Sequence, residues 1–441
     1  MMRAFALGVL TISVAVGQER QVVPLSLQKA VEIAVAPDGA TRTRLALEQV
    51  KAAEARQRQA LGALLPNVDG SYTFRDFTSN LSAMGIGFNV PGLAIRFPSL
   101  IGPIATNDVR ANATQSVFDL SAIKRYQAGK ALSGAARSDE SAVQNQTKGA
   151  VAKAYLNAVR AEAALETAQA NVALAERVLR QAQSQKQAGT GTGIDITRAE
   201  VQLANERQRQ IAAREDRNSA RLQLLRAMNM DLGTDTRLTD ALDYKPAEIP
   251  AAAKALDAAR ELRPELKAQA ARERAARLNL DSVKYERAPS ATAFGDYGVL
   301  GATDGALLPT RSVGVQVKIP LWDGGRRDAR RTESASLLRQ EAIRTRDTAQ
   351  QVELEIRLAI ESLESAESQV KVTLEALAQS EKEMEQAQRR YEAGVAISLE
   401  VTDAQARVAR ARENKVSALF KQKAARVDLG VAVGNIDLML N

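Results

Sequence analysis

The stretch Gln181 to Glu200, QAQSQKQAGTGTGIDITRAE, returns about 205 positions later as Gln386 to Gln405, QAQRRYEAGVAISLEVTDAQ. In this register Gly189 meets Gly394, Ile194 meets Leu399, Asp195 meets Glu400 and Thr197 meets Thr402. The correspondence extends upstream. Ile356, Ile360, Leu363, Val370, Leu374, Leu377, Met384 and Tyr391 advance by threes, fours and sevens, which is one apolar seam along a helix. The same offset places Val151, Tyr155, Ala158, Leu165, Val172 and Leu179 on a seam that Gln169 interrupts. Polar positions match too: Glu162 with Glu367, Glu176 with Glu381, Gln183 with Gln388. A chain written twice on one plan folds as two copies of one unit.

Each copy has the same order of parts. The first, residues 18–230, reads as a helix from about Leu27 to Leu64, a β-hairpin over 66–118, a long helix, a turn at 188–194 and a further helix to about Met228. The second, residues 253–441, repeats this with a hairpin over 289–322 and a turn at 393–399; residues 231–252 join the two. A helix of roughly 65–70 residues is about 100 Å long at 1.5 Å per residue. Few globular cores could enclose such a rod, so the helices are expected to pack side by side as coiled coils. The composition suits this: about 80 alanines let helices approach closely, and aromatic residues are only 4% of the chain.

Other classes fall away. There is no Cys and no His, which removes thiolate nucleophiles, disulfides, Cys/His metal sites and an imidazole base. A carboxylate or lysine mechanism stays possible in principle, but no constellation supports an enzyme. No cofactor site is expected, and the methionines are too scattered for a soft-metal ladder. The net charge of +8 comes from Lys and Arg interspersed with Asp and Glu, the pattern of solvated helix faces, so no nucleic-acid partner is expected. At the N-terminus, Arg3 precedes an apolar run from Ala4 to Val16, then Gly17 and a polar Gln-Glu-Arg. Residues 1–17 read as an export signal, too short to span a bilayer; a buried helix is the alternative. Without Cys no lipid anchor is expected.

The four strand candidates alternate with period two. Val68, Gly70, Tyr72 and Phe74 oppose Asn67, Asp69, Ser71, Thr73 and Arg75. Val109, Ala111, Ala113 and Val117 oppose Arg110, Asn112, Thr114 and Ser116. Ala291, Ala293, Tyr297 and Val299 oppose Ser290, Thr292 and Asp296, with Phe294 out of pattern; Val313, Val315, Val317 and Ile319 oppose Gln316 and Lys318. A half-buried sheet in water and an outer-membrane barrel strand both alternate in this way. The rings favour the barrel: Tyr72, Phe74, Phe77, Phe88, Phe97 and Phe118 gather in the first hairpin, and Tyr285, Phe294, Tyr297 and Trp322 in the second. Four strands cannot close a membrane barrel, whose smallest size is about 8. Three copies give about 12, an even number in the observed range.

Pro320-Leu321-Trp322-Asp323-Gly324-Gly325-Arg326-Arg327, and Arg390-Tyr391-Glu392-Ala393-Gly394 running on to Leu399-Glu400-Val401-Thr402-Asp403-Ala404-Gln405, resemble the TolC-like outer membrane efflux proteins. Arg263-Pro264-Glu265-Leu266 and Leu25-Ser26-Leu27-Gln28-Lys29-Ala30 resemble that family's helix starts. The resemblance covers nearly the whole chain after residue 17. It implies an α+β, mostly α fold, with a periplasmic α-barrel of long antiparallel coiled coils and four strands per protomer in a trimeric 12-stranded barrel. The implied function is the exit duct of a Gram-negative tripartite export system, a homotrimer in the outer membrane bilayer, working with a periplasmic adaptor and an inner-membrane transporter of the resistance-nodulation-division, ABC or another class. An exported coiled-coil scaffold and the periplasmic adaptor itself are the alternatives.

Residue by residue, the resemblance assigns Glu400 and Asp403 to an acidic pore constriction. Both lie near a helix start, where carboxylates also complement the dipole. Asp195 and Tyr391, in the two turns, correspond to a Tyr-to-Asp latch that holds the tip shut. The family's partnering Arg is absent, with Ala396 in its place and Arg389 and Arg390 nearby. Gly189, Thr190, Gly394 and Val395 are the turn residues that would meet the adaptor, and plain C-capping is their other reading.

Overall fold

The computed structural model describes residues 22–85 and 99–439. The expected export signal and the rings of Phe88 and Phe97 lie outside them. The fold is mostly helical with two small sheets, and the chain divides into two compact units.

One unit comprises Met1–Leu45, Ala142–Arg263 and Val352–Asn441. It holds most of α3 (Leu120–Gln187) and of α7 (Arg326–Glu392), together with α4 (Gly193–Ala227) and α8 (Ser398–Val433). The short elements β1 (Val23–Leu25), α1 (Leu27–Val35), β4 (Thr236–Leu238) and α5 (Ala252–Leu262) complete it. The duplication is visible in the lengths: 68 residues in α3 against 67 in α7, and 35 in α4 against 36 in α8.

Along the seam of α7, Ile356, Ile360, Leu363, Val370, Met384 and Tyr391 are all below 9% exposed, while Leu374 and Leu377 are half-buried. On the α3 seam, Val151, Tyr155, Ala158 and Leu165 are buried. Beyond Leu165 the buried stripe runs through Ala168, Asn171, Leu174, Val178 and Ala182, leaving Val172 and Leu179 half-buried. A straight helix drifts about 20° per heptad, and the polar Gln169 is where the buried face moves over. Small residues set the spacing between helices. A Cβ at Gly149 of α3 would fall 2.5 Å from Val431 Cγ2 of α8.

Two features depart from the sequence reading. The single helix expected over Leu27 to Leu64 is two, α1 and α2 (Thr41–Gly62), because Pro37-Asp38-Gly39 turns the chain. A Cβ at Gly39 would lie 2.4 Å from the Ala34 carbonyl oxygen, so that turn requires glycine. The joining segment 231–252, with no element expected by name, contributes β4, which pairs in parallel with β1. The Tyr155 hydroxyl lies 2.8 Å from the Leu25 carbonyl oxygen and 2.6 Å from Asp240 Oδ2, at the bottom of the core formed by Leu25, Leu224, Leu225 and Met228. The same segment is clamped from its far side. Glu367 of α7 accepts the Ala247 N–H (2.9 Å), the Tyr244 hydroxyl (2.9 Å) and Gln422 Nε2 of α8 (2.7 Å).

The second unit comprises Ala46–Ser141 and Pro264–Gln351. It contains β2 (Asn67–Asn80), β3 (Leu100–Phe118), α6 (Pro264–Tyr285), β5 (Ser290–Ala302) and β6 (Leu308–Lys318), with most of α2 and the start of α3 and of α7. The four strands form one antiparallel sheet in the order β2-β3-β5-β6. Among the described residues no helix is long and apolar enough to cross a membrane.

Candidate functional site

Strand register decides what each face of the sheet carries. Val68, Ala113, Gly295 and Val313 lie in one cross-strand row, and Tyr72, Val109, Val299 and Pro309 in another, so the apolar residues share a face. That face is the exposed one. Val68, Tyr72, Tyr297 and Val315 are about two-thirds exposed and Val313 is 85% exposed. Between them, Asp108, Arg110, Asn112 and Asp296 on the opposite face are half-buried.

The polar face is held by its own hydrogen bonds. Arg110 pairs with Asp108 (Nε to Oδ1, 3.2 Å) and with Asp296, and donates to Thr310 Oγ1 (3.2 Å). Asn112 Nδ2 donates to Asp69 (3.2 Å) and Ser71 (3.3 Å). Phe294, out of pattern in the sequence, sits on this face across from Gly314, where an added Cβ would fall 2.6 Å from the ring. The glycine makes room for the ring. A sheet in water buries its apolar face; this sheet leaves its apolar face exposed.

The two turns of the first unit are built alike. α3 and α7 each end in a left-handed glycine, Gly189 (φ 79°) and Gly394 (φ 73°). Thr190 N–H bonds to the Gln185 carbonyl (2.9 Å) and Val395 N–H to the Arg390 carbonyl (3.0 Å), the six-to-one bond of a Schellman cap. Each cap leaves open space around its glycine. Apolar side chains stand out beside the turns: Ile194, Val395, Ile397 and Leu399 are exposed. A shared core of Leu174, Val178, Met384, Tyr391, Val401 and Val408 joins the two turns.

Asp195 lies at the centre of this end. In the first turn of α4 its carboxylate accepts the Thr192 N–H (3.0 Å) and hydroxyl (2.6 Å), and it also receives the hydroxyl of Ser398, the first residue of α8. Burial pushes its carboxyl up, but the bonds from Ser398 and Thr192 and the charge of Arg198 outweigh that and hold it below the usual aspartate range. Tyr391 is buried close to Asp195, yet its hydroxyl has no hydrogen-bond partner among the described residues; burial first, and the Asp195 charge second, raise its phenol. The carboxylate expected to meet Tyr391 is therefore bonded to Ser398, a residue that the motif comparison did not single out. Gln185 Nε2 does reach the Tyr391 carbonyl oxygen (3.3 Å).

Glu400 and Asp403 are both exposed at the start of α8. Glu400 lies 3.7 Å from Arg390, and no ion pair reaches Asp403 among the described residues. Above the turns, the α4 seam carries one buried acid that sequence reading passed over. Glu206 is fully buried; one oxygen accepts from Gln202 (2.8 Å) and Arg209 (3.2 Å), and the other has no partner among the described residues. Its only sequence signal is a charge at a seam position.

The family model for outer membrane efflux proteins matches residues 96–230 and 255–435, well over half of the chain. The fold is similar to that of the CmeC outer membrane channel of Campylobacter jejuni, with a TM-score of 0.79 at 16% identity over 92% of this chain and 85% of that one. It is similar to a membrane protein of Pseudomonas aeruginosa (TM-score 0.80, 18% identity, 92% and 93% coverage). It also resembles the MtrE outer membrane channel of Neisseria gonorrhoeae in its open state (TM-score 0.78, 18% identity, 93% and 89% coverage). No curated protein matches the sequence.

Proposed function

Because the chain belongs to the outer membrane efflux protein family, whose members are outer membrane channels of tripartite efflux systems, we propose that three copies close one 12-stranded barrel and line one exit duct. The observation that carries this is the exposed apolar face of the sheet. An apolar face exposed over four strands needs hydrocarbon against it, and the polar face then lines water. β2 and β6 are the outer strands of the sheet. An open edge in lipid costs several kcal/mol per unpaired group, so each outer strand pairs with the next protomer.

The two capped turns form the periplasmic tip in this reading. Gly189, Thr190, Gly394 and Val395 meet the adaptor's helical hairpins, with Ile194, Ile397 and Leu399 supplying apolar contact. An inner-membrane transporter delivers the cargo. Asp195 is the latch, bonded to Ser398 rather than to Tyr391. Glu400 and Asp403 from three protomers give six carboxylates around the axis, an acidic ring that selects cations. Planar-bilayer recording tests the ring: Asp403→Ala should lower cation preference, and unchanged conductance and selectivity would sink it.

A further inference from the structure

Three cations converge where the joining segment passes α8. Lys423 and Arg426 of α8 and Lys245 of the segment line a cavity of about 470 Å³, closed on other sides by the start of α1 and by Tyr155 of α3. Two carboxylates share it. Asp240 is already committed, since its Oδ2 accepts the Leu27 N–H at 2.7 Å and lies 2.6 Å from the Tyr155 hydroxyl, holding the start of α1. Asp243 is exposed.

Lys423 is half-buried, and no hydrogen bond or ion pair reaches its ammonium among the described residues. Burial, then the charges of Lys245 and Arg426, hold its amine below the usual lysine range, and Asp243 and Asp240 offset this only in part. The Ser26 hydroxyl on the same wall accepts the Lys29 N–H (3.2 Å) and keeps its own proton to donate. A crowded, partly desolvated cation gains more from an anion than a surface lysine does, because water screens the attraction less. We propose that this cavity binds a small polyvalent oxyanion, a phosphate or polycarboxylate group, between Lys423 and Lys245, with Arg426 completing the positive wall.

The test is titration of the purified full-length protein in detergent with pyrophosphate and, separately, with citrate. Sodium chloride at matched ionic strength is the control, and the readouts are calorimetry and thermal unfolding. Saturable binding at one site per protomer is expected, with Tm raised by about 1.5 °C at ten times the dissociation constant. Lys423→Met and Lys245→Met should each weaken binding by at least about tenfold. Lys423→Met should unfold in chloride no lower than the unmodified protein, because it removes a crowded charge. Lys245 is exposed, so its variant keeps the fold and the test stands even if the Lys423 variant does not fold. Response to pyrophosphate alone assigns a phosphoryl ligand and response to citrate alone a polycarboxylate. No saturable binding beyond the chloride control, or binding that both variants leave intact, overturns the proposal.

Discussion

Replacing Val109 by Arg puts a charge in the middle of the exposed apolar face. Val109 is central in the 19-residue β3 and is flanked on the same face by Tyr72 of β2 and Val299 of β5. It is 47% exposed, so a sheet surrounded by water would tolerate the change within about 0.5 kcal/mol. Against hydrocarbon, an arginine at mid-depth of a barrel strand costs about 2–4 kcal/mol. That is about 30- to 700-fold in the folding equilibrium for each protomer. Asn112→Arg is the control, three residues along on the polar face, where Asp69 is available as a partner. The assay is folding from urea into lipid vesicles, read as folded protein on a non-denaturing gel. Val109→Arg should fall far below Asn112→Arg. Equal, small effects of the two substitutions would refute the claim that the apolar face meets lipid.

Other outcomes follow from the helical unit. Glu206 is buried beside Glu413 with one oxygen unpartnered; burial first raises its carboxyl above the ordinary 4.5, Arg209 opposes this and Glu413 adds to it. The folded state then holds the proton more tightly than the unfolded one, so stability gained below 4.5 is lost as pH rises through the folded value. Glu206→Gln should raise Tm at neutral pH, and the gap should close in acid; a gap independent of pH would contradict this. Glu367→Ala removes the acceptor for the Ala247 N–H, and hydrogen exchange at that amide should quicken by about 30-fold for a loss of about 2 kcal/mol. Unchanged protection there would show that the clamp holds nothing. At the tip, Asp195→Asn and Ser398→Ala should each increase open-channel conductance events, whereas Tyr391→Phe removes a hydroxyl without a hydrogen-bond partner among the described residues and should behave as the parent. The opposite ranking would restore a latch through Tyr391.

Much of this architecture is legible in the sequence because its signals are local. The Gly-rich turns, the seam of α7 and the alternation of the four strands each follow from a period or from a residue with special backbone freedom. What the sequence hides is tertiary. Three-residue strands such as β1 and β4 carry no period, and their partners lie more than 200 positions apart. Glu367 and Glu162 match in the duplication, yet only Glu367 is buried as a clamp, because the segment it holds is present once. Ser398 aligns with Gly193 in the repeat, so the comparison of halves conceals the hydroxyl that Asp195 takes. The turn at Pro37-Asp38-Gly39 is a different case: its signature is local, but helical residues flank it on both sides.

The absence of cysteine from the chain makes the central claim directly measurable. Cysteines placed at Ser71 in β2, together with Thr310, Ser312 or Gln316 in β6, can be oxidised in outer membrane fractions. Within one sheet, β2 and β6 stand three strand spacings apart, about 14 Å, too far for a disulfide. If neighbouring copies pair edge to edge, one of these registers yields covalent dimers and trimers on a denaturing gel; monomers with free thiols in all three would contradict the shared barrel.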